Sequence, residues 1–198
     1  MATFWDERYR SQEYVYGENP NVFFAGQLSR LQPGTIILPC EGEGRNAAFA
    51  AAAGWKVEAF DTSESGRIKA LHLAAKKGVT INYVVADAAE IIYPDNNADA
   101  VALIYTHFSP ATRQLVYRKA VEWLKPGGTI LVEVFNPKQM NNSSGGPKDP
   151  SMLVTEDMLK KDFGVLNIEL LRSLQTVLHE GKFHQGTADI VQLIATKA

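Results

Sequence analysis

A short glycine-rich segment is the first place where residue types and spacing indicate chemistry. The run Gly42-Glu43-Gly44-Arg45-Asn46-Ala47 follows an apolar run and precedes an alanine-rich stretch. It fits G-x-G-x-x-A, a form of the dinucleotide-binding pattern in which glycines let the backbone approach a ligand. A plain tight turn is the alternative, since short glycine patterns also recur by chance.

Two aspartates stand at comparable places further along the chain. Asp61 closes the second predicted strand and Asp87 closes the third. A carboxylate at the first position can accept hydrogen bonds from the two hydroxyls of a ribose, and one at the second can face an adenine amino group. Helix capping is the other role open to either residue. Because parallel strands end at one edge of a sheet, the pattern favours a nucleoside site.

The charge of the glycine segment bears on which nucleoside cofactor it would take. Glu41 and Glu43 lie in or beside the segment. Pyrophosphate binding relies on backbone N–H groups free of competing anions, so these acids oppose NAD or FAD. They favour a cationic sulfonium cofactor. Arg45 offsets part of the negative charge, which makes this a preference and not an exclusion.

Four segments make the chain resemble the class I S-adenosylmethionine-dependent methyltransferases. They are LPCEGEGRN at 38–46, VEAFD at 57–61, VADA at 85–88 and LKPGG at 124–128. The opening WDERY at 5–9, with Tyr16-Gly17 and the Gly-Arg-Asn continuation of the loop, resembles the tellurite-resistance and thiol-methyltransferase-like branch. The similarity extends over most of the chain, from Trp5 to Thr196.

The resemblance implies a set of residues that hold S-adenosyl-L-methionine. The glycines would approach its methionine and ribose, the first aspartate would hold the ribose hydroxyls, and the second aspartate with its following alanine would face the adenine. The implied set is Tyr16, Glu41, Gly42, Gly44, Asp61, Thr62, Asp87, Ala88 and Thr106.

Two positions depart from the family pattern. Leu38 stands where the family commonly has an acid that helps to hold the amino group of the cofactor, and Cys40 stands where a glycine is usual. Recognition of the amino group therefore falls to backbone carbonyls or to Glu41. No positional signature makes the cysteine a nucleophile, and we interpret it as a small buried residue under the loop.

His107 is the candidate catalytic residue. It follows the fourth predicted strand, next to where the transferred methyl group is expected. Methyl transfer is an in-line displacement that needs mainly proximity and alignment, and it needs a base only when the nucleophile must lose a proton. Histidine titrates near neutral pH and can be that base. A loop histidine bonded to backbone is the alternative.

Two further groups of side chains have residue types that occur in functional sites. Tyr9, Tyr14 and Tyr16 cluster in the N-terminal segment, where they predict either a lid that excludes water or ordinary packing of an arm. Metal-ligand types also occur near the end of the chain, but their spacing matches no standard signature, and we predict a surface hairpin and no metal. These residues are His179, Glu180 and His184.

An alternation of strands and helices must position these residues. Apolar runs at 35–38, 55–60, 81–86, 100–105 and 129–135 alternate with helical segments at 46–53, 63–77 and 109–124. The alternation predicts an α/β fold with a Rossmann-like, doubly wound, mostly parallel sheet. Strands at 168–178 and 188–196 would add an antiparallel hairpin at its edge, giving seven strands.

Length and composition are consistent with this architecture. The chain has 198 residues with 45% hydrophobic residues, which suits a single domain over 1–198, with a lid arm and helix at 1–31 and a long loop at 136–150. Its net charge of −2 argues against nucleic acid as a partner, and no apolar run reaches the ~18 residues of a membrane span. The charged, aromatic N-terminus and the single cysteine predict the cytoplasm.

The leading interpretation is transfer of a methyl group from S-adenosyl-L-methionine to a small-molecule nucleophile. A thiol or another chalcogen is one acceptor class, and oxygen and nitrogen nucleophiles are others. Two alternatives remain open: an NAD(P)-dependent Rossmann oxidoreductase, and a non-catalytic S-adenosylmethionine-binding protein, which the missing acid at Leu38 motivates.

Overall fold

The computed structural model describes residues 2–198, with side chains from Phe4 onward, so Met1 of the predicted N-terminal arm lies outside the described residues. Strands occupy β1 Thr35–Pro39, β2 Lys56–Asp61, β3 Asn82–Val85, β4 Ala98–Ile104, β5 Leu124–Phe135, β6 Asn167–Glu180 and β7 His184–Thr196. α-Helices occupy α1 Ala2–Tyr9, α2 Val22–Leu28, α3 Arg45–Ala52, α4 Glu64–Lys76, α5 Pro110–Trp123 and α6 Glu156–Asp162. Short 3₁₀ helices lie at Pro137–Asn141 and Pro150–Met152.

The strands form one seven-stranded sheet in the order β3-β2-β1-β4-β5-β7-β6. β1 pairs with β2, β2 with β3, and β4 with β5, all in parallel, whereas β5 and β7 are antiparallel. The predicted Rossmann-like, mostly parallel sheet with an antiparallel C-terminal hairpin is therefore confirmed. Every helix of the described residues is too short or too polar to cross a bilayer.

The chain divides into two compact units. The first holds the residues up to Ile92 together with Glu180–Lys182, and the second holds Tyr93–His179 and Phe183–Ala198. A single functional domain over 1–198 stays a prediction.

The first unit is built on β1 and β2, whose apolar side chains are buried on both faces. Burial of both faces is what a continuous apolar strand in a parallel sheet requires. α4 begins where the Ser63 side chain accepts a hydrogen bond from the Gly66 N–H, which is an N-cap of the usual kind. This cap fixes the turn that follows Asp61 and so positions the carboxyl end of β2.

The second unit is built on β4, β5 and β7. Its apolar strand residues are buried, and Phe135, Leu153, Leu178, Ala188 and Ile190 form one cluster. The β5–β7 register places Glu133 opposite Gln192, whose Nε2 donates to the carboxylate at 2.6 Å. This bond satisfies a buried acid, which would otherwise be costly to bury.

The structure differs from the sequence-based expectation at the N-terminus and in β3. Residues 2–9 form α1, which hydrophobic periodicity did not indicate, and α2 ends at Leu28, whereas the prediction extended the helix to Leu31. β3 was expected to be buried, but Val84 and Val85 are 39% and 44% exposed. The reason is that β3 is an edge strand.

Two predicted non-regular segments also differ. Lys125 to Gly128, expected as a turn, is an irregular part of β5: Leu124 pairs with Ala98 and Thr129 pairs with Ala100. The loop 136–150 contains a 3₁₀ helix that begins at Pro137, with the Asn136 side chain accepting from the Lys138 N–H. A proline in the first position and an Asn cap account for this short helix.

Candidate active site

The glycine segment follows β1 in a left-handed backbone conformation that residues other than glycine rarely adopt. Cys40, Gly42 and Gly44 have φ angles of 53°, 58° and 82°. A non-glycine residue in this left-handed region is strained by about 1–2 kcal/mol, which gives a physical reason why a glycine is usual at the position of Cys40. Burial raises the pKa of the Cys40 thiol, and a neutral thiol is a weak nucleophile.

Gly44 is required by packing as well as by its backbone angle. A Cβ placed on it would stand 2.6 Å from Ala70 Cα in α4. Gly42 has a different neighbour, since a Cβ there would stand 2.7 Å from the Tyr9 hydroxyl. The Gly42 carbonyl oxygen accepts a bond of 2.7 Å from the Tyr83 hydroxyl. The first glycine therefore faces the N-terminal segment and the second faces a helix.

Asp61 lies at the carboxyl end of β2, as predicted, and it is 6% exposed. Its Oδ2 accepts from the Gly42 N–H at 3.2 Å and its Oδ1 from the Ser63 N–H at 3.0 Å. Burial raises the pKa of Asp61 to about 6, although hydrogen bonds from Ser63, Gly42 and Thr62 act in the opposite direction. The carboxylate therefore joins the glycine segment to the end of the neighbouring strand.

Asp87 lies two residues beyond the end of β3 and is exposed. Its Oδ1 accepts from the Ala89 N–H at 2.8 Å, and its carbonyl oxygen accepts from Glu90 and Ile91. It therefore closes a turn, while the following Ala88 is buried. The ends of β2 and β3 are adjacent, because the Ala86 N–H donates to the Asp61 carbonyl oxygen at 2.9 Å.

Glu41 points at the beginning of α3. Its Oε1 accepts from the Ala47 N–H at 2.7 Å, so it supplies the side-chain cap that Gly44 cannot. A carboxylate at a helix N-terminus is stabilised by the unpaired N–H groups there. Burial nevertheless raises the pKa of Glu41 to about 7, against the lowering effect of the Ala47 N–H and of Arg45.

Glu41 and Asp61 make stability depend on pH in a defined direction. A carboxyl group with a raised pKa in the folded state binds more protons there than in the unfolded chain, so its contribution is present at low pH and is lost as pH rises through the folded pKa. We expect the free energy of unfolding to fall between pH 5 and pH 8. Glu41→Gln should stabilise the protein at pH 8 by on the order of 2 kcal/mol and flatten the profile. Thermal denaturation at both pH values measures this, with exposed Glu90→Gln as the control; equal slopes in Glu41→Gln and the parent protein would contradict it.

The remaining charges of the segment bind protein groups. Glu43 is 4% exposed and pairs with Lys69 Nζ at 2.5 Å, and Arg45 pairs with Glu180 at 2.9 Å. The negative charge expected of this loop is thus partly neutralised, so the loop would repel a phosphate group less strongly than its sequence indicates. Lys69 and Glu180 had no signal in the sequence, because their roles depend on packing between distant segments.

Two of the N-terminal tyrosines, Tyr9 and Tyr16, lie against the glycine segment, whereas the Tyr14 hydroxyl binds the Lys69 carbonyl oxygen in α4. Tyr9 is 5% exposed, and its ring lies edge-on to that of Tyr16, with centroids 6.4 Å apart. The Tyr16 hydroxyl accepts a bond of 3.1 Å from Arg8. Asp6 in α1 accepts from the Ser63 hydroxyl at 2.6 Å and from the Ser65 N–H at 3.0 Å. The first unit therefore brings the predicted lid residues and the glycine segment together.

In the second unit, His107 is bonded to backbone on both sides of its ring. Its Nδ1 lies 3.0 Å from the Met152 carbonyl oxygen, and its Nε2 accepts from the Phe135 N–H at 3.3 Å. These partners require the neutral tautomer with hydrogen on Nδ1. Burial lowers the pKa of His107 to about 4. A base role stays a prediction, and it would require the Nε2 lone pair to leave its present partner.

The neighbours of His107 form an aromatic group. Phe135 is stacked between Tyr105 and His107, with ring centroids at 4.8 Å and 5.5 Å, and His184 meets Tyr105 edge-on at 4.6 Å. Thr106 is 2% exposed, and its Oγ1 has no hydrogen-bond partner within the part of the chain that the structure describes. A buried hydroxyl in this state can serve a ligand.

The surface hairpin expected near the end of the chain is only partly a surface feature. His184 is 5% exposed, and the Glu180 side chain is 10% exposed. Within residues 2–198, as far as they are described, no three His, Cys, Asp or Glu side chains lie together as a metal site would require.

We expect the substitution His107→Phe to affect stability more than turnover. It leaves the Phe135 N–H and the Met152 carbonyl oxygen without their partner, at a cost of about 2 kcal/mol. Turnover of the folded fraction should stay within about threefold, whereas loss of a true general base costs about 10²–10⁴. Thermal denaturation and initial rates separate the two, with exposed His72→Phe as the control. A rate loss above a hundredfold would establish the base role.

The comparisons with known proteins agree with this geometry. Residues 38–128 match the model of a family described as a methyltransferase domain. One solved structure is similar in fold, with a TM-score of 0.78 at 16% identity, covering 100% of this chain and 92% of that chain. It is described as concerning the conversion of a disulfide bond into a thioacetal group during echinomycin biosynthesis. A search of curated protein sequences returns no match.

Two further solved structures are similar in fold. TehB from Haemophilus influenzae has a TM-score of 0.70 at 15% identity, covering 100% of this chain and 67% of that one. A SAM-dependent methyltransferase from Methanosarcina mazei has a TM-score of 0.67 at 16% identity, covering 90% of this chain and 98% of that one.

The match over residues 38–128 supports the predicted methyltransferase class, and the fold is similar to that of proteins described as methyltransferases, one of them as SAM-dependent. The predicted enzyme class is supported by the domain match, the predicted cofactor agrees with the shared fold, and the nicotinamide-dependent oxidoreductase is no longer favoured. The tellurite-resistance branch stays a prediction.

Proposed function

We propose that the chain transfers a methyl group from S-adenosyl-L-methionine to a small-molecule nucleophile whose attacking atom is sulfur or another chalcogen. The observation that carries the cofactor half of this proposal is the joining of the glycine segment to Asp61 at the ends of β1 and β2. Two observations support a sulfur or chalcogen acceptor. One is the similar fold of the protein described by the conversion of a disulfide bond into a thioacetal group, and the other is the resemblance to the thiol-methyltransferase-like branch.

The residues present fit this cofactor. Gly42 offers backbone without a side chain at a positive φ, and Asp61 is a buried acceptor beside it. Glu41 is a second carboxyl group in the same loop and is half-buried. Buried carboxylates suit hydroxyl donors and cationic groups and do not suit phosphate. When bound, S-adenosyl-L-methionine supplies an electrophilic methyl group on a sulfonium.

Each residue of the site has a proposed task. Asp61 with Thr62 accepts from the ribose hydroxyls, Asp87 with Ala88 faces the adenine, and Glu41 with backbone carbonyls serves the amino group in place of the acid missing at Leu38. The glycine backbone lies along the methionine and ribose, and Tyr16 covers them. Thr106 is the remaining residue of the cofactor set, and His107 is the candidate base.

A thiol acceptor makes few demands on a base. Its reference pKa is near 8.5, so a fraction is already thiolate at neutral pH, and the thiolate is the attacking species. This agrees with a His107 that is held by backbone on both nitrogens. The chain then contributes mainly proximity, alignment and exclusion of water.

The test is formation of S-adenosylhomocysteine from S-adenosyl-L-methionine with a panel of acceptors. Thiols and selenols form one arm, and matched alcohols and amines form the other. We expect turnover in the first arm, with a rate that rises with pH through the pKa of the thiol used. Turnover confined to the second arm would contradict the acceptor class, and binding without turnover in either arm would favour the non-catalytic alternative.

A further inference from the structure

The segment at residues 11–17, called the strap below, is held by charged side chains of the glycine loop. Glu43 Oε2 accepts from the Tyr16 N–H at 3.3 Å, and Arg45 Nη1 donates to the Tyr16 carbonyl oxygen at 3.2 Å. Both side chains are buried. Glu43 and Arg45, two charged residues of the glycine loop, therefore both bind the backbone of Tyr16 in the strap. Glu43 accepts from its N–H group, and Arg45 donates to its carbonyl oxygen.

Lys69 in α4 connects the strap to the loop a second time. Its Nζ lies 2.5 Å from Glu43 Oε1, and it donates to the carbonyl oxygens of Ser11 at 2.9 Å and Glu13 at 2.6 Å. The ammonium group therefore has one ion-pair partner on the loop and two hydrogen-bond acceptors on the strap. The Tyr14 hydroxyl also donates to the Lys69 carbonyl oxygen at 2.9 Å.

A second pair on the same helix shows what an ordinary surface contact looks like. Lys76 pairs with Glu18 at 2.6 Å, and the two side chains are 59% and 39% exposed. The corresponding values for Lys69 and Glu43 are 13% and 3%. Exposed pairs contribute little because water screens them, whereas a buried carboxylate depends on its partner.

The strap is also held by the tip of the β6–β7 hairpin. The Lys182 N–H donates to the Val15 carbonyl oxygen at 2.9 Å, and a Cβ placed on Gly181 would stand 2.5 Å from the Gly17 nitrogen. Glu180 at the same tip pairs with Arg45. Strap, loop and tip therefore form one bonded group within the first unit.

We propose that Lys69 is a positioning residue for cofactor retention: it holds the strap on Glu43, so that a bound cofactor can leave only when the strap opens. This inference rests on the proposed function. The covering side chains support it, because Tyr16 belongs to the strap, and Tyr9, which contacts it, stands over Gly42. Breaking the Lys69 contacts frees residues 11 and 13 and, with them, the backbone that carries Tyr16.

The test compares Lys69→Met, Lys76→Met and the double variant Lys69→Met/Glu43→Gln. Two quantities are measured: amide hydrogen exchange of residues 11–17 in the cofactor-free protein, and the dissociation rate of S-adenosylhomocysteine by stopped-flow displacement. In Lys69→Met we expect both to rise about tenfold, as two lost hydrogen bonds would give. In Lys76→Met both should stay within about twofold of the parent protein.

The double variant separates positioning from charge neutralisation. It removes the buried unpaired carboxylate that Lys69→Met leaves, so it should melt close to the parent protein. If Lys69 positions the strap, exchange and dissociation stay fast in the double variant. If Lys69 only neutralises Glu43, both return to parental values, and the inference is overturned. If Lys69→Met binds S-adenosylhomocysteine with the affinity and dissociation rate of the parent protein, the inference is also overturned. If the parent protein itself does not bind S-adenosylhomocysteine, both the proposed function and the inference are overturned.

Discussion

The substitution Gly44→Ala is expected to destabilise the protein by about 3 kcal/mol and to weaken the binding of S-adenosylhomocysteine at least about tenfold. Two costs add. The residue has a φ of 82°, where a side chain costs about 1–2 kcal/mol, and its new Cβ would overlap Ala70 in α4, where overpacking costs about 1–3 kcal/mol. Because Gly44 immediately precedes α3, relief of the overlap must displace the loop that holds Gly42.

The matched control for this prediction is Gly26→Ala. Gly26 lies inside α2, and no atom stands within 4 Å of a Cβ placed there. Alanine should therefore be neutral or stabilise the helix by up to about 1 kcal/mol. Chemical denaturation and calorimetric titration of both variants give the comparison. Equal stability of the two alanine variants would show that α3 and α4 can separate without cost, contrary to the packing described here.

The sequence was informative where one local rule determines the outcome. The pattern of apolar runs predicted all seven strands, and Ser63 and Ser109 were correctly placed at or before the starts of α4 and α5. The glycine segment and Asp61 were placed at strand ends for the same reason, whereas Asp87 lies two residues beyond the end of β3. These features depend on periodicity and on caps, which are written in neighbouring residues.

The sequence was uninformative where a role depends on which distant segments meet. Nothing near Lys69 indicates that its ammonium group binds the carbonyl oxygens of residues 11 and 13, and nothing near Glu180 indicates a buried pair with Arg45. The same limit applied to Glu43. Its charge was assigned to the ligand site, whereas its partners are Lys69 and the Tyr16 N–H.

These pairings change which charges can act on a cofactor. Of the acids that the sequence places on the ligand edge, Glu43 has a lysine partner at 2.5 Å, and Asp87 is exposed to water. Asp61 and Glu41 are the two whose pKa is raised by burial to about 6 and about 7. A cation or a pair of hydroxyl donors that reaches these groups relieves their desolvation. The electrostatic preference for a cationic cofactor therefore rests on two carboxyl groups and not on four.

The substitution Asp61→Asn is expected to weaken the binding of S-adenosylhomocysteine about 30-fold at pH 8. An amide replaces a carboxylate that would accept from the ribose hydroxyls, and charge-assisted hydrogen bonds are worth about 1.5–3 kcal/mol. The pH dependence gives a second readout. The pKa of Asp61 in the free protein is about 6, so at pH 5 its proton must leave before two hydroxyls can bind. Binding to the parent carboxylate should then be about tenfold weaker at pH 5 than at pH 8.

The comparison is best made with Glu41→Gln present in both proteins, because Glu41 also titrates in this range. In that background the roughly 30-fold effect of Asp61→Asn at pH 8 should shrink to about threefold at pH 5, since the side chain is then neutral with or without the substitution. Glu90→Gln is the control, because its exposed side chain has no proposed role in the site and should change the affinity by no more than about threefold. Isothermal titration at the two pH values measures each of these affinities. A difference that stays constant with pH would mean that Asp61 holds the glycine segment through Gly42 and does not itself receive the ribose, because only direct acceptance of the hydroxyls requires the proton to leave.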